Sequence, residues 1–310
     1  MKIIFDCDPG HDDIFALCAL LAHPELFDLL GCTTVAGNQT VEKVTDNLLR
    51  VLSYLHHKVD VSIGSPCSLD GRTFVQPVAH GESGMDGPKL PESNFSVTGL
   101  DAVEWIYQTI FDQSSPVTIV ATGPLTNIAN LLSHYPSIKS RIERIAIMGG
   151  SLYSGNITSQ AEFNIYVDPL AAKIVFDSGI PITMSGLEVC HQAMILHSEI
   201  ERFNTKGKAS KLTYELLEFY SRFAKHLGQP GSPLFDLCPV VELLYPHLFT
   251  SVDLFVDVET QGELTCGKTV GDVRGWADKS KVNAKVLVDV DRQAFIDVFV
   301  ENAGMLDKEG

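Results

Sequence analysis

The sequence predicts an α/β protein built on an open, mostly parallel sheet with helices on both faces. Short apolar runs that are typical of buried strands alternate with longer segments that have helical periodicity. Small polar turns follow several of these runs, as they do at the carboxyl edge of a parallel sheet. Because no linker, low-complexity run or internal repeat interrupts the chain, we expect a single domain over residues 1–310.

The individual elements are predicted from the hydrophobic period. The predicted strands are 2–5, 29–35, 117–121, 144–148 and 181–185. The predicted helices are 12–22, 40–56, 99–112, 125–133, 168–178 and 209–226. The clearest helix start is Asp168-Pro169, with the aspartate as N-cap and the proline at the first helical position, and Gly179 is expected to end that helix.

Three polar turns come directly after predicted strands. They are Gly37-Asn38, Thr122-Gly123-Pro124 and Gly149-Gly150. Because the carboxyl ends of parallel strands meet at one edge of a sheet, we expect these turns to converge there, beside the N-terminal acids. The sequence therefore predicts one composite site at that edge.

The composition excludes several classes of partner. A net charge of −16 argues against nucleic acid, because phosphate binding needs a basic face, and also against anionic membrane surfaces. The chain shows neither a signal peptide nor an apolar run long enough to span a bilayer, so we expect a cytoplasmic protein. The seven cysteines form no C-x-x-C pair, which indicates reduced and mostly buried thiols.

Four aspartates lie within eight residues, on the turn between the first predicted strand and the first predicted helix: Asp6, Asp8, Asp12 and Asp13. Like charges at this spacing repel, so the group needs a cation or shared protons. The ligands are all oxygens, which favours Ca²⁺ or Mg²⁺. Helix capping is the alternative, but it does not explain the two acids on the strand side. Asp6 and Asp8 share one strand face, so one of them is expected to orient ligands rather than bind.

Further ligand-type side chains lie later in the chain. In an extended segment Glu162 and Asn164 would point the same way, which suits a polyhydroxylated ligand such as a sugar, although an ordinary solvated loop explains them equally well. Asp236 opens an apolar run, where the residues alone favour a helix N-cap over a buried ligand. The glycine-rich segment 80–88 is either a mobile lid or a plain surface loop.

Taken together, these segments resemble the signature of the inosine–uridine-preferring nucleoside hydrolases. The segments that carry the resemblance extend along essentially the whole chain and are 6–13, 35–40, 80–84, 123–129, 148–150, 161–165, 168–169 and 258–263. The last of them is similar to the bacterial non-specific ribonucleoside hydrolases. Members of the family split the N-glycosidic bond of ribonucleosides. The resemblance therefore implies a ribonucleoside substrate, Ca²⁺ as cofactor, and a homodimer or homotetramer.

The resemblance also implies a role for each matching position. The Ca²⁺ ligands would be Asp8, Asp13, Asp236 and the backbone carbonyl of Thr122, and Asp8 would in addition take a proton from water. The ribose hydroxyls would be bound by Asp12, Asn38, Met148, Asn156, Glu162 and Asn164. A carboxylate cluster would stabilise an oxocarbenium-like transition state, and buried hydroxyl partners would reject deoxyribose.

The sequence departs from the family pattern at Phe235. Many members have a histidine at this position, which is taken as the acid that protonates the leaving base, and phenylalanine cannot donate a proton. Three interpretations stay open. Another donor serves, with His226 as the first candidate and His80 as the second; or Phe235 stacks on the base; or the enzyme is slow on poor leaving groups.

Two other functions are compatible with parts of the sequence. A nucleoside-binding relic, suggested by Phe235, would bind Ca²⁺ and ribose without turnover. A phosphatase of the haloacid-dehalogenase type would use the Asp6-x-Asp8 pair, but Pro9-Gly10 and the aspartate pair that follows break that pattern. The sequence does not separate purine from pyrimidine preference.

Overall fold

The computed structural model describes residues 1–309, and within them the main sheet has eight strands. The strands in chain order are β1 (Lys2–Cys7), β2 (Asp28–Thr34), β3 (Val61–Ile63), β4 (Val117–Ala121), β5 (Ile142–Met148), β6 (Ile182–Ser185), β7 (Met194–Leu196), β8 (Gly231–Pro233), β9 (Phe249–Leu254), β10 (Val256–Val258), β11 (Thr269–Gly271) and β12 (Ala284–Val290). The α-helices are α1 (His11–Leu21), α2 (Val41–Leu55), α3 (Pro77–His80), α4 (Ala102–Phe111), α5 (Thr126–His134), α6 (Phe163–Val167), α7 (Pro169–Phe176), α8 (Leu187–Cys190), α9 (Lys208–His226), α10 (Leu237–Leu244) and α11 (Arg292–Glu309). Short 3₁₀ segments cover Pro136–Arg141, His197–Phe203, Pro246–Leu248 and Lys279–Lys281.

The strand order of the main sheet is β3-β2-β1-β4-β5-β6-β12-β9. Its strand pairs are parallel except for β12 with β9, which is antiparallel. The order reverses between β1 and β4, which are neighbours although two strands separate them in sequence. Open α/β sheets bind their ligands in the crevice at such a switch point, outside the carboxyl ends of the strands. The chain leaves β1 towards Asp8 and leaves β4 towards Thr122, so the topology brings these two residues to the crevice.

Helices cover both faces of this sheet. Alternate residues of β1 contribute to different hydrophobic clusters, because successive side chains of a strand point to opposite faces. Phe5 belongs to the cluster that includes apolar side chains of α1, α2, α9, α10 and α11. Ile4 belongs to the cluster that includes those of α4, α5 and α7. The prediction of a mostly parallel sheet with helices on both faces is confirmed.

The predicted elements form within a few residues of their expected bounds. The Asp168 carboxylate caps α7 by accepting the N–H of Ala171 at 3.0 Å, and Gly179 follows that helix with a left-handed φ of 79°. The structure adds elements that were not predicted, chiefly β9, β12, α10 and α11 in the last quarter of the chain. All seven cysteines are free thiols and five are buried, as expected. Within residues 1–309, none of the helices combines the length and the apolar character that crossing a membrane requires.

Candidate active site

The acids predicted from the N-terminal turn are buried at the switch point. Asp8 lies just beyond β1, while Asp12 and Asp13 lie in the first turn of α1. The Asp8 Oδ2 accepts the backbone N–H of Asn38 at 2.7 Å. Asp13 accepts the Gly10 N–H at 2.9 Å and so caps the first turn of α1, and its other oxygen accepts the Thr122 hydroxyl at 2.7 Å. Capping therefore accounts for one oxygen of Asp13 and leaves the other acids unexplained.

Two glycines allow the backbone to approach the Asp8 carboxylate closely. A Cβ atom at Gly37 would lie 2.1 Å from the Asp8 Oδ2, and one at Gly123 would lie 2.8 Å from the Oδ1. Real Cβ atoms do not come this close, so neither position accepts a side chain unless Asp8 moves. These glycines belong to two of the polar turns predicted to converge, and the convergence is confirmed.

The oxygen atoms available at this place suit a hard divalent cation as its ligands. Oxygens of Asp12, Asp13 and Asp236 lie within 4.8 Å of one another, and the three residues are buried. Asp236 occupies the N-cap position of α10, as the sequence indicates, but its carboxylate makes no capping hydrogen bond and so stays available to a ligand. Among the described residues, the buried Oδ1 atoms of Asp8 and Asp12 have no hydrogen-bond partner. Only oxygens are offered, as Ca²⁺ and Mg²⁺ prefer.

The electrostatics of the acid cluster also favour a bound cation. Burial, reinforced by the neighbouring Asp13 carboxylate, raises the pKa of Asp12 to about 7. Burial and the adjacent acids raise the pKa of Asp8 and of Asp236 well above the ordinary aspartate value. Carboxyl groups packed in this way cannot all be ionised unless positive charge compensates them.

Asp6 supports the site from the sheet below. Its Oδ1 accepts hydrogen bonds from the Thr33 hydroxyl and, at 2.8 Å, from the Asn127 amide. The same amide donates to the Thr34 carbonyl at 3.0 Å, and Asn127 also accepts the Ser65 N–H at 2.9 Å. Asp6 therefore connects β1 to β2 and α5, and burial raises its pKa to about 6.

Glu162 and Asn164 form the second polar wall, although not in the extended segment that was predicted. Glu162 is the N-cap of α6, because its carboxylate accepts the N–H groups of Asn164 at 2.9 Å and of Ile165 at 3.2 Å. The Asn164 side-chain amide donates to the carbonyls of Thr122 at 2.7 Å and of Met148 at 3.1 Å. These bonds connect α6 to the ends of β4 and β5, and burial raises the pKa of Glu162 to about 6.

A cavity of about 610 Å³ opens above the acids. The predicted site residues that line it are Asp12, Asn38, His80, Thr122, Met148, Asn156, Glu162, Asn164, Phe235 and Asp236. Asn156 also fixes its own loop, because its side-chain oxygen accepts the Phe163 N–H at 2.9 Å. Asp8 and Asp13 are buried and hydrogen-bonded to the same turns.

The structure does not bring His226 to this cavity. Tyr220, Phe223, Ala224 and Leu227 of the α9 region line the cavity, whereas His226 is not among the lining residues. A helical period of 3.6 residues places position 226 well away from the face that carries 220, 224 and 227. The prediction that His226 protonates the leaving base is therefore corrected.

His80 lies against His11 at one side of the cavity. The His11 Nε2 lies 2.8 Å from the Asp86 carbonyl oxygen, so His11 carries its proton on Nε2. The His80 Nδ1 has two neighbours: the His11 backbone N–H, which donates to it at 3.4 Å, and the His11 Nδ1 at 3.1 Å. The first contact fits a His80 protonated on Nε2 and the second fits one protonated on Nδ1. Burial lowers the pKa of His11 to about 4 and that of His80 to about 3, so His80 is neutral and keeps one ring N–H.

Sequence reasoning missed several residues of the cavity wall. They include Tyr220, His191 and Ser232. The Tyr220 hydroxyl lies 3.1 Å from the Pro233 carbonyl and 3.4 Å from the Asp12 Oδ2, both of which accept from it. The helical spacing of apolar residues in 209–226 could have indicated that Tyr220 lies on the buried face of that helix. Nothing in the local sequence marks His191 or Ser232.

The fold and the site together define an α/β protein whose switch-point cavity combines a cation-binding acid cluster with groups that suit a polyhydroxylated ligand. Residues 3–297 match the family model described as inosine-uridine preferring nucleoside hydrolase. The pyrimidine-specific ribonucleoside hydrolases RihA of Escherichia coli (strain K12) and of Salmonella agona (strain SL483) are each 48% identical over 305 residues, with 97% of both chains covered. The chain belongs to the inosine-uridine preferring nucleoside hydrolase family, and it is a ribonucleoside hydrolase.

Solved structures agree with this assignment. The purine-preferring ribonucleoside hydrolase from Gardnerella vaginalis superposes with a TM-score of 0.93 at 32% identity, over 100% of both chains. A plant nucleoside hydrolase, the PpNRh1 enzyme, superposes with a TM-score of 0.89 at 30% identity, over 97% of this chain and 98% of that one. The relatives thus share the fold but are named for different bases.

Proposed function

We propose that this enzyme hydrolyses the N-glycosidic bond of pyrimidine ribonucleosides with a bound Ca²⁺, and releases ribose and the free base for nucleoside salvage. The observation that carries the proposal is the group of buried acids Asp8, Asp12, Asp13 and Asp236, of which Asp12 and Asp236 line the cavity. The pyrimidine assignment is supported by the 48% identity to hydrolases named as pyrimidine-specific. A structural neighbour with 32% sequence identity is named as purine-preferring. Because the fold is thus compatible with either kind of base, the base preference needs a direct test.

The buried acids and the residues that line the cavity would hold the cation and the ribose. Asp8, Asp13, Asp236 and the Thr122 carbonyl are proposed as the cation ligands. When bound, Ca²⁺ supplies Lewis-acid chemistry that makes water a better nucleophile and helps orient the sugar. The proposed partners of the ribose hydroxyls are Asp12, Asn38, Met148, Asn156, Glu162 and Asn164, which line the same cavity.

Asp8 is the proposed general base. Its Oδ2 is held by the Asn38 N–H, whereas its buried Oδ1 has no hydrogen-bond partner among the described residues and can accept a proton. As the glycosidic bond breaks, positive charge builds on the ribose. The buried carboxylates of Asp12 and Glu162 line the cavity in which this charge develops, so they would stabilise the transition state more than the substrate.

We further propose a cytoplasmic homo-oligomer. Free cysteines throughout the chain support a reducing compartment. The oligomer rests on the family resemblance, and light scattering coupled to size-exclusion chromatography would measure the mass in solution.

The test is the release of free base from uridine, cytidine, inosine, guanosine and adenosine, with 2′-deoxyuridine as the control for ribose recognition. Each reaction is run with Ca²⁺, after chelation, and after Ca²⁺ or Mg²⁺ is restored. We expect chelator-sensitive cleavage that Ca²⁺ restores, with uridine and cytidine preferred and deoxyuridine rejected. Cleavage that survives complete chelation would overturn the role of the cation. Ca²⁺ binding without cleavage of any ribonucleoside would instead support a nucleoside-binding relic.

A further inference from the structure

One wall of the cavity is built around the antiparallel pair of strands β7 and β8, which are neighbours in the fold although α9 lies between them in the chain. Met194 of β7 pairs with Pro233 of β8, and both residues line the cavity. Phe235 follows β8 and directly precedes the cluster acid Asp236. His191 lies in the turn between α8 and β7 and lines the same wall. The position that lacks a proton donor is therefore next to a histidine that comes from elsewhere in the chain.

The rings of His191 and Phe235 are in direct contact. Their centroids are 6.0 Å apart and their planes meet at 70°, an edge-to-face arrangement. Such pairs are weakly attractive, so the contact fixes the position of the imidazole against the wall without using its nitrogens. Among residues 1–309, no hydrogen bond to a ring nitrogen of His191 is present. The ring is exposed to the open cavity, and burial on its other side lowers its pKa, so that the neutral ring keeps one N–H at pH 7.

Three other histidine, tyrosine or serine side chains line the cavity. The Tyr220 hydroxyl is directed at acceptors of the protein itself, Pro233 and Asp12. The His80 Nδ1 is in contact with His11, and the His80 Nε2 carries a proton in the tautomer whose Nδ1 accepts the His11 N–H. The Ser232 hydroxyl is buried and has no partner among the described residues. His80 and Ser232 are therefore the two competing donors that the test has to include.

We propose that His191 donates a ring N–H hydrogen bond to the leaving base, and so supplies the stabilisation that Phe235 cannot give. The inference rests on the hydrolase reaction described above. The proposal names a catalytic residue for the part of the cavity that would hold the nucleobase. The family resemblance names none there, because the usual histidine is Phe235 in this chain. The group that accepts this hydrogen bond is a carbonyl oxygen or a ring nitrogen of the nucleobase, on which negative charge develops as the base leaves.

The step balances as follows. The C1′–N bond breaks and its electron pair stays on the base nitrogen, while a water oxygen bonds to C1′ and gives up a proton to Asp8. The base departs as an anion whose charge is spread over its ring nitrogens and carbonyl oxygens, and the His191 N–H stabilises it. The anion then takes a proton from solvent at the cavity mouth, and Asp8 returns its proton to solvent.

The test compares two leaving groups in a His191→Phe variant, which keeps an aromatic ring against Phe235 and removes the donor. The substrates are the ribonucleoside that the parent cleaves best and 4-nitrophenyl riboside, whose phenolate leaves without help. We expect kcat/KM to fall about 100-fold on the nucleoside and to change by less than about threefold on the aryl riboside. His191→Gln, which restores an N–H donor, should recover part of the loss. The rate on the aryl riboside also reports whether each variant is folded.

Three outcomes would overturn the proposal: no loss on the nucleoside, equal losses on both substrates, or a Ser232→Ala or His80→Phe variant that alone shows the leaving-group-selective loss. His247→Phe makes the same substitution at an exposed histidine outside the cavity and serves as the matched control. If the parent prefers a purine riboside, the pyrimidine proposal fails while the role of His191 is tested on that purine. If the parent cleaves the aryl riboside but no nucleoside, both proposals fail.

Discussion

At the scale of single residues, the two oxygens of Asp8 differ. The Oδ2 accepts the Asn38 N–H at 2.7 Å, whereas the Oδ1 is buried with no hydrogen-bond partner in residues 1–309. Burying an acceptor without a partner costs free energy. A protein keeps such an atom when a ligand or a reacting proton is to meet it, so the asymmetry supports the proposal that cation binding and proton transfer take place on the Oδ1 side of the carboxylate.

Asp8→Asn keeps the size of this side chain and removes its charge and its basicity. We expect kcat to fall by about 10³-fold, because both a general base and a cation ligand are lost. Steady-state base release at saturating Ca²⁺ measures the effect. Asp112→Asn, at an exposed helix end, is the matched control. A kcat close to that of the parent would remove Asp8 from the mechanism.

Phe235→His tests whether the chain lacks a leaving-group donor. Because His191 already lies in the same wall, we expect less than about a threefold gain in kcat/KM on ribonucleosides. The experiment compares initial rates on uridine and inosine for the parent and the variant. A gain of about tenfold or more on either substrate would show that the missing histidine limits the rate and that His191 does not replace it.

The same residues show what the sequence can and cannot predict about the site. The acids of 6–13 were recognisable because they are adjacent in the chain and their repulsion demands an explanation. His191 was not, because its significance depends on Phe235, 44 positions later, and only folding brings the two rings together. Glu162 was assigned to the cavity correctly but in an extended segment, because its second role as a helix cap is invisible in its sequence neighbours.

At the scale of elements, the turn after β2 can be tested through its glycine. Gly37→Ala would place a Cβ 2.1 Å from the Asp8 Oδ2, so Asp8 or the turn must move. We expect Ca²⁺ affinity to fall by about 10–100-fold, as it does when groups that orient metal ligands are altered. Calorimetric titration of the metal-free protein with Ca²⁺ measures the change.

Gly304→Ala is the control for that experiment. Gly304 lies within α11, and a Cβ there meets nothing within 4 Å. Alanine in a helix interior is favoured over glycine, so this variant should gain roughly 0.5–1 kcal/mol in its free energy of unfolding with unchanged Ca²⁺ affinity. Equal Ca²⁺ affinities for the two variants would contradict the close approach at Gly37.

The accuracy of the element predictions follows from burial. The strands β4 and β5 were recognised because their residues are mostly buried and form apolar runs. The edge strand β9 is largely exposed, and its sequence Phe249–Leu254 carries threonine, serine and aspartate, so no apolar run marks it. The strand β3 has only three residues, too few for a period. The edge strand β9 was thus missed because it faces water and the edge strand β3 because it is short, whereas the inner strand β12 was missed although most of it is at least partly buried.

At the scale of the whole molecule, the metal-free acid cluster should make stability depend on pH. Asp12 has a folded pKa of about 7 against an ordinary value of 3.8, and the pKa values of Asp8 and Asp236 are also raised. Between about pH 4 and 7 the folded metal-free protein therefore binds more protons than the unfolded chain. The contribution of these acids to the free energy of unfolding is fully present below this window and is lost as the pH rises through it.

Ca²⁺ should reverse that loss. A cation at 100 times its dissociation constant stabilises the folded state by about 2.7 kcal/mol, and it binds best when the carboxylates are ionised. We expect the difference in Tm between the Ca²⁺-loaded and the chelated protein to widen from pH 5 to pH 8. Thermal melts at constant ionic strength measure it. A difference that is independent of pH would argue against a cation at the acid cluster.

The strand order of the sheet also has a consequence for synthesis on the ribosome. The strand β6 ends at Ser185, and its outer neighbour β12 begins only at Ala284, about 100 residues later. At about 5–20 residues per second, the β6 edge of the nascent chain waits roughly 5–20 s for its partner. During that time its unpaired backbone groups can pair with another chain. Chains truncated before residue 284 should consequently depend on chaperones or aggregate, even though they already contain the proposed cation ligands.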